Sequence, residues 1–127
     1  MRRSVVTDET LGMRLHEVNR QRAVDRAIER LRHGLHADWH YFTADDHANL
    51  RWVLGELWAT TGRQAWEEFH FSKLDFAQTR QLIALAGRMR SKHTRAIGTL
   101  EMAAELIASA SGRDYDTSFA PNLLFER

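Results

Sequence analysis

Apolar side chains return every three or four residues over long stretches of this chain, the spacing of one face of an α-helix. The pattern is clearest over Val24, Ile28, Leu31 and Leu35, separated by four, three and four residues. Upstream, Leu11, Leu15 and Val18 keep the same spacing, but the phase slips between Val18 and Val24. A first helix is predicted from a cap at Thr7 or Asp8, weakened near its start by Gly12. Gly34 and the stretch from His36 to Phe42 are expected to make the first reversal of direction.

Thr43, with Asp45 and Asp46 behind it, has the chemistry of an N-terminal cap with acids in the first turn. The helix it opens should run to about Thr60, with His47, Leu50, Leu54, Leu57 and Trp58 on its buried face and Gly62 as its C-terminal stop. Arg63 to Phe71 reads as a short helix with Trp66 and Phe69 on one side. Asp75-Phe76-Ala77-Gln78 is a second capping-box pattern. Behind it come Leu82, Ala86, Met89, His93, Ile97, Leu100, Ala104 and Ile107. Gly87 and Gly98 each cost a helix about 1 kcal/mol against alanine, so this stretch is one helix or two, ended by Gly112. The single proline is Pro121, so none of the first 120 residues forces a helix to break. The predicted fold is all-α: a small bundle of three to five helices, mostly antiparallel, over residues 1–112, with an extended C-terminal tail over 113–127.

A chain of 127 residues fits one domain with a real core. The absence of cysteine excludes disulfides, thiolate catalysis and cysteine-ligated zinc. No apolar run approaches the roughly 18 residues of a membrane span, and Arg2 and Arg3 are not followed by the apolar core of a signal peptide. The expected location is cytoplasmic.

Charge adds more than its net value of +1 suggests, because it is segregated. Residues 1–36 carry +3, residues 37–75 carry −4, residues 76–100 carry five cations and no acid, and residues 101–127 carry −3. The plain consequence is attraction between neighbouring helices; the functional one is a patch of one sign offered to a partner. Arginine outnumbers lysine 16 to 2 over the whole chain, which suits bidentate contacts but equally reflects a GC-rich coding bias. Arg22, Arg26 and Arg30 form an i, i+4, i+8 stripe, with Asp25 and Glu29 placed for i,i+3 pairs to Arg22 and Arg26. That arrangement reads as a solvated, charge-laced helix face.

The chemistry of catalysis is hard to find. His33, His36 and His40 would share a helix face, and Glu67 and His70 make one Glu-x-x-His unit, but a di-iron bundle needs two such units and further glutamates. There is no Gly-x-Ser-x-Gly elbow and no Gly-rich phosphate loop. No metal, cofactor or catalytic residue is assigned, and the chain reads as a non-enzyme.

Two surfaces and a tail remain. Arg88, Ser91, Lys92 and Arg95 fall on one side of a helical projection, extended by Gln81 and Thr99, with Arg80 a turn or two upstream. Met89, His93, Ala96 and Leu100 lie opposite. Such a face, cationic and free of acid, suits phosphate oxygens or an acidic protein surface. Trp52 projects about 160° from Leu54, among Asp45, Asn49 and Glu56, which makes it either an interface anchor or a sign that its helix is covered on both sides. The tail holds Tyr115, Phe119, Leu123, Leu124 and Phe125, too apolar to stay free, so it is expected to dock on its own domain or on a neighbouring copy. The leading expectation is a small helical binding protein acting stoichiometrically on a macromolecular partner, as adaptor, inhibitor or assembly component. A protein partner comes first, with a homo-oligomer exchanging tails as one form of it. The alternative is a nucleic-acid-binding regulator that uses the basic stretch over 80–95.

Overall fold

The computed structural model describes residues 8–91 and 97–112. Those residues form five α-helices, two 3-10 turns and no strand. The helices are α1 (Asp8–Leu35), α2 (Ala44–Thr60), α3 (Arg63–Glu68), α4 (Phe76–Ser91) and α5 (Ile97–Ala110). The all-α small bundle is therefore what forms, and α4 and α5 are separate helices on either side of residues 92–96. The tail over 113–127, with Tyr115, Phe119, Leu123, Leu124 and Phe125, lies outside the described residues.

Local chemistry sets most boundaries. Asp46 N–H donates to Thr43 Oγ1 while Thr43 N–H donates to Asp46 Oδ2, a reciprocal capping box that starts α2. Asp75 and Gln78 do the same ahead of α4, at 2.8 and 2.9 Å. Helix α1 runs through Gly34, one residue longer than the turn signal suggested, and stops at Leu35. His36 then takes φ 54°, the left-handed conformation that ends helices and usually belongs to glycine. The stretch placed in an irregular reversal is instead a 3-10 helix, His36–Tyr41. Gly62 does not stop α2: Thr61 caps that end, its hydroxyl donating to Leu57 O, and Gly62 is the N-cap of α3. Helix α3 ends at Glu68, short of Phe71, which lies in a second 3-10 turn, Phe71–Lys73.

Gly34 has a further reason to be glycine. A Cβ there would sit 2.6 Å from the backbone oxygen of Ser72, so α1 and the Phe71–Lys73 turn touch backbone to backbone. Glycine at position 55 works similarly. It leaves room for the Arg20 guanidinium, 3.0 Å from where a Cβ would be, to cross α2 and pair with Glu56 at 3.2 Å. Arg51 and Asp25 form a second ion pair between the same helices. Residue 20 meets 56 and residue 25 meets 51, so α1 and α2 run antiparallel.

Helix α2 is the centre of the bundle, packed by α1, α4, α5 and α3. Residues 53–57 are buried without interruption, which happens only when a helix is enclosed on all sides. Around it, Leu31 and Leu35 of α1, Leu82 and Met89 of α4, and Leu100 and Ile107 of α5 join Leu54 and Leu57 in one cluster. Trp66, Phe69 and Phe71 close one end, with ring centroids 4.9–6.2 Å apart. Phe42 and Phe76 stack at 5.1 Å at the start of α4. No described helix is long and apolar enough to cross a membrane.

Candidate functional site

The phase slip in α1 divides the helix into two unlike halves. Nine residues at about 100° each put Leu15 about 180° from Val24, so the two cannot serve one core. The bundle takes the second set: Ala23, Val24, Ala27, Leu31 and Leu35 are buried. Residues 14–19 are all exposed, and Leu15 and Val18, expected on the buried face, are 54% and 42% accessible. They point away from the bundle as an apolar pair one turn apart.

The arginine stripe also departs from expectation. Asp25 turns to Arg51 on α2, and Glu29 pairs with Arg32 at 3.7 Å. The pairs Arg22–Asp25 and Arg26–Glu29 are not formed, because each acid finds a better-placed cation. Arg26 Nε donates weakly to Arg22 O, and Arg22, Arg26 and Arg30 have no carboxylate partner among the described residues. Two of the three line a cleft of about 610 Å³ between α1 and the junction of α2 with α3. Arg26 and Arg30 form one wall; Trp58, Arg63 and Trp66 form the other. His16 closes the cleft toward the start of α1, its ring 4.9 Å from that of Trp58. The carboxylate in the lining, Glu67, accepts from Arg63 Nε at 2.9 Å. The site was legible in part: the stripe is visible in the sequence, but its loss of acidic partners and its meeting with two tryptophans are tertiary facts.

Of the predicted basic face, Arg88 and Ser91 are exposed in the last turn described for α4, and Lys92 and Arg95 lie outside the described residues. Arg90 is held by Asn49 at 2.8 Å, and Arg80 sits 5.8 Å from the centre of the Phe76 ring. Arg88 rims a second, smaller groove of about 320 Å³ between α4 and α5, with Gln81, Ala84, Leu85, Leu106 and the exposed Met102. Trp52 is no exposed anchor. It is half-buried against the core cluster, as an enclosed helix dictates. The histidine face fails for a backbone reason: α1 ends before His36, and His40 lies in the 3-10 helix. Likewise His70 falls beyond α3, so it does not stand one turn from Glu67. Among the described residues no three potential ligands converge on a metal position.

No family model, curated protein or solved structure matches this chain.

Proposed function

We propose that this protein is a non-enzymatic, stoichiometric binding protein whose macromolecular partner is another protein, seated on the outward side of the first half of α1. One observation carries the reading: Leu15 and Val18 are exposed on the outward side of a stretch, residues 14–19, whose other side carries His16 against Trp58. Leu11 precedes them at four-residue spacing, so the sequence continues the same stripe. An isolated helix of this length is marginal in water, and an apolar i, i+4, i+7 stripe is how one helix seats against another. Each side chain buried there contributes roughly 1.5–3 kcal/mol to association. An adaptor, an inhibitor and an assembly component would all work through such a contact. The nucleic-acid reading of residues 80–95 has less support, since Arg80 rests on Phe76 and Arg90 is occupied by Asn49.

The test is a Leu15→Glu/Val18→Glu double variant carried beside the wild type through purification from the native host and light scattering. The reading expects wild type to retain a partner at fixed stoichiometry, the variant to lose it, and both to melt alike. A purified wild type at twice the 14.7 kDa chain mass, reduced to one chain by the variant, would replace the foreign partner with a second copy. Retention of the same partner by the variant would overturn the stripe as the contact.

A further inference from the structure

The cleft behind the stripe supports a second binding function that does not depend on the first. Two of its three cations, Arg26 and Arg30, are unusual in having no carboxylate partner among the described residues, and the third, Arg63, keeps only its Nε on Glu67. Asp25 and Glu29 neighbour the arginines in sequence yet pair elsewhere, and the lining acid Glu67 is occupied by Arg63. Arg26 and Arg30 stand one turn apart on α1, about 6 Å along its axis, and face Arg63 across the gap. Guanidinium groups gathered this way repel one another until an anion sits between them, and phosphate oxygens match their forked donors. Asn19 and Thr61 add neutral hydrogen-bonding groups to the same lining.

Three aromatic rings, His16, Trp58 and Trp66, share the lining. Trp66 is buried and Trp58 half-buried, both part of the core or packed on it, so their rings are fixed in place. The His16 ring is tilted 53° against Trp58, which leaves a ring-lined end to the cleft beside its cationic wall. A volume of about 610 Å³ falls within the range of small-molecule sites. A ligand that satisfies both parts carries negative charge at one end and a flat ring at the other.

We propose that this cleft binds a phosphate joined to a planar base: a nucleotide, free or within a single strand. The phosphate sits among Arg26, Arg30 and Arg63, and the base stacks at the Trp58–His16 end.

The experiment titrates the intact protein with AMP, adenosine, inorganic phosphate and an oligothymidylate of about eight nucleotides, following tryptophan emission. AMP should quench saturably at one per chain, with adenosine and phosphate each at least about tenfold weaker, because each fills only half the cleft. Arg26→Gln/Arg30→Gln should weaken AMP by at least about tenfold while circular dichroism and melting stay as in wild type, both side chains being exposed. Arg26→Lys/Arg30→Lys keeps the charge and loses the fork, so it should fall between the two. Trp58→Phe should remove most of the quench. Tighter, salt-sensitive binding of the oligonucleotide assigns the phosphate to a strand; equal or weaker binding assigns it to a free nucleotide; either supports the site. No saturable quench by AMP or the oligonucleotide overturns it, as does phosphate binding as tightly as AMP, or a double glutamine variant that binds like wild type. Leu15→Glu/Val18→Glu should leave AMP affinity unchanged, so this site and the protein contact fail or stand separately.

Discussion

The two halves of α1 are one continuous helix with opposite relations to the bundle. From Ala23 to Leu35 its apolar side chains sit against α2 and the Phe71–Lys73 turn; from Arg14 to Asn19 every residue is exposed. A slip of the apolar phase between Val18 and Val24 is enough to produce this, because a helix has no means of rotating one half against the other. What the first half offers is thus turned outward by the same geometry that anchors the second. An apolar pattern that changes phase within a helix marks the place where packing on the bundle gives way to an outward-facing stripe.

The contrast can be broken from its buried side first. Leu31 is fully buried, and Leu31→Ala should cost about 2–5 kcal/mol in chemical denaturation, while Leu15→Ala should stay within about 0.5 kcal/mol. Equal costs would mean that the first half packs on the fold after all. Gly34→Ala should cost about 1–3 kcal/mol. Alanine is the better helix former, but here its methyl meets a backbone oxygen at 2.6 Å, and backbone yields less readily than a side chain. A stabilised Gly34→Ala variant would show that the contact between α1 and the Phe71–Lys73 turn is loose.

Arg20 stands where the two halves join, and its pair with Glu56 is the last described ion pair between α1 and α2 before the exposed half begins. With the Arg20 side chain 30% and the Glu56 side chain 12% accessible, Arg20→Ala should cost about 1–2 kcal/mol, the reduced value of a charged hydrogen bond partly open to solvent. A double-mutant cycle with Glu56→Gln measures it. The smallest effect is at the other end of the helix. His36→Gly relieves a left-handed residue and should raise stability by up to about 1 kcal/mol, seen as a small rise in Tm. A fall would show that the imidazole contributes more than the backbone strain costs.

The capping boxes at Thr43 and Asp75 and the burial of Leu54, Leu82 and Leu100 were legible because each depends on neighbours within one turn or on a single apolar period. The apolar period leaves the choice between one helix and two over residues 76–111 open, and the glycines that raise it, Gly87 and Gly98, lie inside α4 and α5. Trp52 was legible only as a choice between an anchor and a helix covered on both sides, because its environment is set by how many helices surround α2, which no local pattern states. The same holds for Arg26 and Arg30. The i,i+3 acids of Arg22 and Arg26 are visible in the sequence, but Arg51, which draws Asp25 away from Arg22, lies 26 residues on. The basic face over 88–95 reaches the described residues only at Arg88 and Ser91, with Lys92 and Arg95 outside them.

The most direct test of the division of α1 is amide hydrogen exchange of the free protein, read residue by residue along the helix. Amides from 23 to 35 should exchange only through global unfolding, and those from 14 to 19 orders of magnitude faster, through local opening. Uniform protection along the whole helix in a monomer would contradict the account, because the first half would then be held by this chain itself and not kept free for a partner.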